Sequence, residues 1–83
     1  MFIYDFTDEE VSFFYNNVME NVRSIRKEKS ISQLDLAYAI GHKTVSTIGK
    51  IESGLENKHY NLEHLYKIAK VLEVDICELL KSK

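Results

Sequence analysis

Residues 31–54, ISQLDLAYAIGHKTVSTIGKIESG, decide the fold. Ser32 is placed to cap a helix N-terminus, with Asp35 three residues on as its box partner and Ile31 set to staple against Leu36. Leu36, Ala37 and Ile40 then share one face, and Gly41 stops the helix after about two turns. A second start at Thr44 leads into Ile48 and Ile51 as the inward positions, and Gly54 ends it. Only Gly41, His42 and Lys43 separate the two short helices.

Toward the N-terminus, Thr7, Asp8, Glu9 and Glu10 form a capping box whose acids also complement the helix dipole. From there Val11, Phe14, Val18, Val22 and Ile25 recur at spacings of three and four residues, the stripe of an amphipathic helix ending near Lys29. That helix is long for so small a chain, so residues 1–21 are expected to be an N-terminal extension continuous with the first helix of a domain over 22–80. Toward the C-terminus, 55–60 reads as a polar loop. Asn61 caps a fourth helix with Leu62, Leu65, Ile68, Ala69 and Leu72 inward. Asp75 and Glu78 form a further box, with Val74 stapled to Leu79, at the start of a fifth helix. Proline is absent and glycine occurs three times, so the expectation is all-α with five helices. Two of them, joined by a tight turn containing glycine, meet the local requirement of a helix-turn-helix unit.

With 83 residues there is room for one core and little room for a deep cleft, so function is expected on the surface. The net charge of −2 conceals an uneven distribution. Residues 1–20 hold five acids and no Lys or Arg, whereas 21–83 carry all 11 basic side chains against eight acids. No apolar run approaches the ~20 residues of a membrane span. The opening Met1-Phe2-Ile3-Tyr4-Asp5 lacks the features of a secretory signal, and the lone Cys77 fits a reducing compartment, so a cytoplasmic location is expected. Cys77 itself is expected as a small buried apolar residue.

The runs Arg26 to Ala37, Ile48 to Gly54 and Leu65 to Asp75 together resemble the Cro and phage-repressor type of helix-turn-helix family, also called the XRE family, over about Val22 to Leu80. The resemblance implies a five-helix, lambda-repressor-like DNA-binding domain, here with an extended first helix. It also implies a sequence-specific transcriptional regulator of double-stranded DNA, acting as a repressor on an inverted repeat as a homodimer. It places a structural ion pair on Arg26 and Glu52, and a bidentate guanidinium–carboxylate contact of this kind can pin two helices in one orientation. It places a phosphate contact on Gln33 and base-edge contacts on Thr44, Val45, Ser46, Thr47 and Lys50. His42 and Lys43 beside the turn, and Lys58, His59 and Asn61 from the loop and the next helix start, are further phosphate candidates. No Arg, Asn or Gln lies between Thr44 and Ser53, so specificity is expected to lean on apolar, water-mediated or shape-based readout.

Four departures from the family pattern stand out. The turn between the two short helices is about one residue longer and the loop after Gly54 about two longer. Gly49 sits mid-helix at a cost of ~1 kcal/mol relative to alanine, with close approach of another backbone as one reason for it. Glu73 stands where the family often has glycine.

Phe2, Ile3, Tyr4, Phe6, Phe13 and Tyr15 give the N-terminal extension more aromatic surface than a small monomer leaves wet, which points to a protein partner or self-association, or to a leader folded over its own core. A second dimer surface is offered by Ile76, Leu79 and Leu80. An enzyme is not expected. His42, His59 and His64 lack metal-ligand spacing, and there is no nucleophile constellation, phosphate-cradling loop or cofactor motif. The competing function is a protein-interaction module of the antitoxin kind.

Overall fold

A computed structural model describes residues 5–54 and 58–82. Among the described residues five helices follow one another: α1 Asp8–Glu28, α2 Gln33–Ala39, α3 Ser46–Ser53, α4 Leu62–Leu72 and α5 Ile76–Leu80. Their ends follow capping chemistry. The Thr7 hydroxyl accepts from the Glu10 amide while the Thr7 amide donates to the Glu10 carboxylate, at 3.0 and 3.1 Å. At the other end of α1 the Ile31 amide donates to the Arg26 carbonyl and the Ser30 amide to Lys27, a Schellman closure that holds Ser30 at φ 57°. Glu73 closes α4 in the same way at φ 58°, doing without glycine what the turn needs.

Some caps differ from expectation. Asn61 and His64 form the second reciprocal box, the His64 amide donating to Asn61 Oδ1 and the Asn61 amide to His64 Nδ1. The box expected from Ser32 and Asp35 is only half made, the Ser32 hydroxyl accepting from the Asp35 amide with no return bond, and the box expected from Asp75 and Glu78 does not form. Asp75 accepts from the Cys77 amide instead, and Glu78 is drawn to Lys81 at 2.8 Å. α3 begins at Ser46 with Val45 in the cap position rather than Thr44. The Thr44 hydroxyl lies one residue outside and accepts from the Ser46 amide.

The core gathers Val22, Leu36, Ile48, Ile68, Leu72 and Leu79, all fully buried, from all five helices. Each contributes roughly 1.5–3 kcal/mol by leaving water. α1 packs on α3, α4 and α5; α2 packs on α3 and α4; α4 packs on α5. A five-residue helix cannot stand alone. α5 is held by Leu79 in the core and by the buried Asn21 amide, which donates to the Leu79 and Lys81 carbonyls at 3.1 and 2.7 Å. Nothing local marked Asn21 for that role.

Several expected placements are overturned by how the helices pack. The stripe of α1 is buried at Val18 and Val22, but Val11 and Phe14 are 44% and 51% exposed because the helix runs on past the body. Leu62, expected inward, is 78% exposed in the first turn of α4. Cys77 is exposed, since α5 turns only Leu79 fully inward, and Leu79 is thereby unavailable to an outward apolar face on α5. Tyr60, read as part of a polar loop, is buried. Phe6 is exposed, so at that residue the leader does not fold over the core; Phe2, Ile3 and Tyr4 lie outside the described residues.

Candidate nucleic-acid interface

The unit formed by α2 and α3 is fixed from below before it presents anything above. Leu36, Ala37 and Ile40 from α2 and Ile48 and Ile51 from α3 are buried together. Between the helices Gly41, at φ 94°, closes α2. Its amide donates to the Tyr38 carbonyl, and the His42 amide reaches back to Ala37 at 2.9 Å. Gly54, at φ 75°, ends α3.

The orientation of α3 is set by a buried polar cluster. Arg26 Nε and Nη2 donate to the two Glu52 oxygens at 2.9 and 2.7 Å, and Nη1 donates to the Ile31 carbonyl at 2.8 Å. The two charged side chains are only 8% and 3% exposed. One guanidinium thus ties the end of α1, the link into α2 and the last turn of α3, with the planar fork giving both distance and angle. Gln33 joins the cluster, Nε2 donating to Glu52 at 3.0 Å. Its Oε1 lies 3.7 Å from where a Cβ on Gly49 would stand, so the neighbour of Gly49 is a side chain in ordinary contact and not a second backbone. Burial pushes the Tyr60 hydroxyl well above its ordinary pKa, with the Glu52 charge adding to the effect. That hydroxyl has no hydrogen-bond partner among the described residues.

At the opposite end of α3 the surface is open. Thr44, Val45 and Ser46 are exposed and Thr47 is half-buried beside them, with Lys50 half-buried in the last turn. Lys43 is exposed and His42 half-buried, its ring 5.4 Å from that of His64. With Glu52 paired to Arg26, the other charged side chains over 42–53, Lys43 and Lys50, are both basic. The face therefore suits an anion.

The other candidates lie elsewhere or are already engaged. Asn61 spends its side-chain carbonyl on the α4 cap. The His59 ring stacks on Tyr15 of α1, centroids 3.8 Å apart, and Lys58 lies exposed on the same side. The Gln33 side-chain amide donates to Glu52 at 3.0 Å. Among the described residues no three His, Cys, Asp or Glu side chains gather to hold a metal, and no helix is long and apolar enough to cross a membrane.

A two-helix unit with a pinned second helix and an exposed leading turn defines a class, and comparison with known proteins agrees. The model of the helix-turn-helix family matches residues 22–79, and the chain belongs to that family, in its XRE form. Among solved structures it is similar to the restriction-modification controller protein C.AhdI from Aeromonas hydrophila, with 26% identity, a TM-score of 0.67 and coverage of 83% of this chain and 97% of that one. No curated protein sequence matches the chain significantly. The chain is a DNA-binding transcriptional regulator.

Proposed function

We propose that this regulator reads a specific duplex sequence with the leading turn of α3 and represses transcription from an inverted repeat as a homodimer in the cytoplasm, without enzymatic activity. One observation carries the reading. Thr44, Val45, Ser46 and Thr47 stand at the open end of a helix whose other end is locked by Arg26 and Glu52. In this reading Val45 meets a thymine methyl, the three hydroxyls meet base edges or phosphates, and Lys50 reaches guanine or the backbone. His42 and Lys43 contact phosphates from the turn, and Gln33 contributes through its main chain while its side chain steadies α3. Lys58, His59 and Asn61 are left out of the reading set, because their surroundings are the α1 side and the α4 cap. Two-fold protein symmetry suits a two-fold operator, and the similarity to a controller protein supports a regulatory role.

Selection of bound duplexes from a random pool tests this. The wild type should enrich one inverted repeat, with a log–log salt slope of roughly −5 if five or six phosphates are neutralised per dimer. Ser46→Ala and Lys50→Ala should weaken or relax that preference, and an unchanged preference in both would remove α3 from the reading role. The competing module reading draws on the exposed Phe6, Phe13 and Phe14. A stable complex with another protein and no duplex affinity would favour it.

A further inference from the structure

We infer that the Gln33 side chain, carried on α2 and not on the reading helix, recognises an adenine, its amide held in one orientation by Glu52 and given access by the missing side chain at Gly49. The inference rests on the duplex-reading function proposed above and adds a residue to it. Gln33 is the first residue of α2 and is half-buried. Its Nε2 donates one hydrogen to Glu52 Oε1 at 3.0 Å, and that oxygen also receives Arg26 Nη2 at 2.7 Å. The contact fixes which way the amide points. Turned over, the group would set Oε1 against the carboxylate, two acceptors with no hydrogen between them. One hydrogen therefore steadies α3, while Oε1 and the second Nε2 hydrogen remain unused among the described residues.

Where that oxygen lies decides what it can meet. It stands 3.7 Å from the point a Cβ on Gly49 would take, and no other residue packed against α3 comes within 4 Å of that point. Ile48 and Ile51 turn to the core, which at helical spacing puts Ser46, Gly49, Lys50 and Ser53 on the outward side. Gly49 thus opens the flank of the outward face beside Gln33. A glycine in mid-helix weakens the helix relative to alanine, and the packing of this chain leaves room for an alanine there. The room serves a group that approaches α3 from outside, and the Gln33 amide is the polar group at its edge. A phosphate offers acceptors only, so it would take the second N–H and strand Oε1, at a cost in affinity. A planar amide with an acceptor beside a donor matches the major-groove edge of adenine, where N6 donates and N7 accepts. Guanine shows two acceptors there, and each pyrimidine offers a single hydrogen-bonding group. Residues 44–53 hold no Asn, Gln or Arg, and the fold supplies the amide from α2 instead.

Duplex selection, followed by affinity measurements on the selected site, tests the inference. The wild type should fix adenine at one position of each half-repeat. Replacing that adenine by purine, which lacks the amino group, or by 7-deazaadenine, which lacks N7, should weaken binding at least about fivefold. Gln33→Ala should lose the preference at that position alone, bind the three duplexes equally and keep the salt slope. Gly49→Leu should melt no lower than wild type and lose the same preference by filling the space beside the amide; a retained preference would overturn the inference. Gln33→Ala binding every sequence more weakly, with a salt slope smaller by about one, would make Gln33 a phosphate contact and overturn it too. So would relaxation at every position together with a lower melting temperature, the mark of a residue acting only through Glu52. If Gln33→Ala fails to fold, the wild type with the base analogues decides, and indifference to both at every adenine overturns the inference. These outcomes leave the reading role of α3 standing as long as Ser46→Ala or Lys50→Ala still relaxes the preference. A wild type that enriches no sequence overturns both.

Discussion

Removing the Arg26 guanidinium while keeping most of its volume, as in Arg26→Met, should be among the most damaging single changes available in this chain. Arg26 makes three hydrogen bonds of 2.7–2.9 Å, two of them to a carboxylate whose side chain is 3% exposed. Without it Glu52 keeps only the Gln33 contact at 3.0 Å, and the Ile31 carbonyl loses its donor. Leaving one partner of a buried pair uncompensated costs about 3–5 kcal/mol. At about 0.05–0.15 kcal/mol per residue, that is about a quarter or more of the stability of a chain this size. The melting temperature should fall by at least about 12 °C. The double variant Arg26→Met/Glu52→Leu should recover most of the loss, because apolar side chains of similar volume need no partner there. Urea unfolding of wild type, both single variants and the double variant gives the coupling, expected at about 2 kcal/mol or more. A loss below about 1 kcal/mol in Arg26→Met, or a double variant as unstable as the two singles added, would refute the argument that this pair anchors α3.

Two further outcomes follow from local chemistry. His64 is held below the ordinary value of 6.5 by burial and then by neighbouring His42, against the opposing Glu63, and its unprotonated Nδ1 accepts from Asn61. Its contribution to stability is therefore present above about pH 6.5 and lost as pH falls through the lower folded value. His64→Gln, which keeps a box-forming side chain without the titration, should lose less melting temperature than wild type between pH 7 and 5, and equal losses would dismiss His64 as the group responsible. Glu73→Gly should raise stability by about 0.5–1 kcal/mol, or about 2–8 °C, since a side chain at φ 58° is strained and glycine is not. A lower melting temperature in thermal denaturation would show that the glutamate side chain contributes more than its backbone costs.

The ion pair also explains how a short helix keeps one fixed orientation. Eight residues are too few to hold a helix in water by hydrogen bonding alone. α3 is held instead by Ile48 and Ile51 below and by Glu52 at its C-terminal end, and every one of those constraints acts away from Thr44, Val45 and Ser46.

What the sequence by itself determined was the number of helices, nearly all their boundaries and the turn between α2 and α3. Caps, left-handed closures and helix periodicity depend on residues within about five positions of one another, and Thr7 with Glu10, Ser32 with Asp35 and the two stops at Gly41 and Gly54 are all of that kind. The pairing of Arg26 with Glu52, 26 residues apart, was legible only through the resemblance to a family, because no local rule joins the two positions. Tertiary structure alone decided which amphipathic face found a cover. It left Val11 and Phe14 in solvent where the body of the domain stops, turned Cys77 outward, buried Tyr60, gave Asn21 to the carbonyls of α5 and committed the Gln33 side chain to Glu52. Each of these depends on chain segments brought together from far apart, and burial is a property of that meeting, not of any residue's neighbours in sequence.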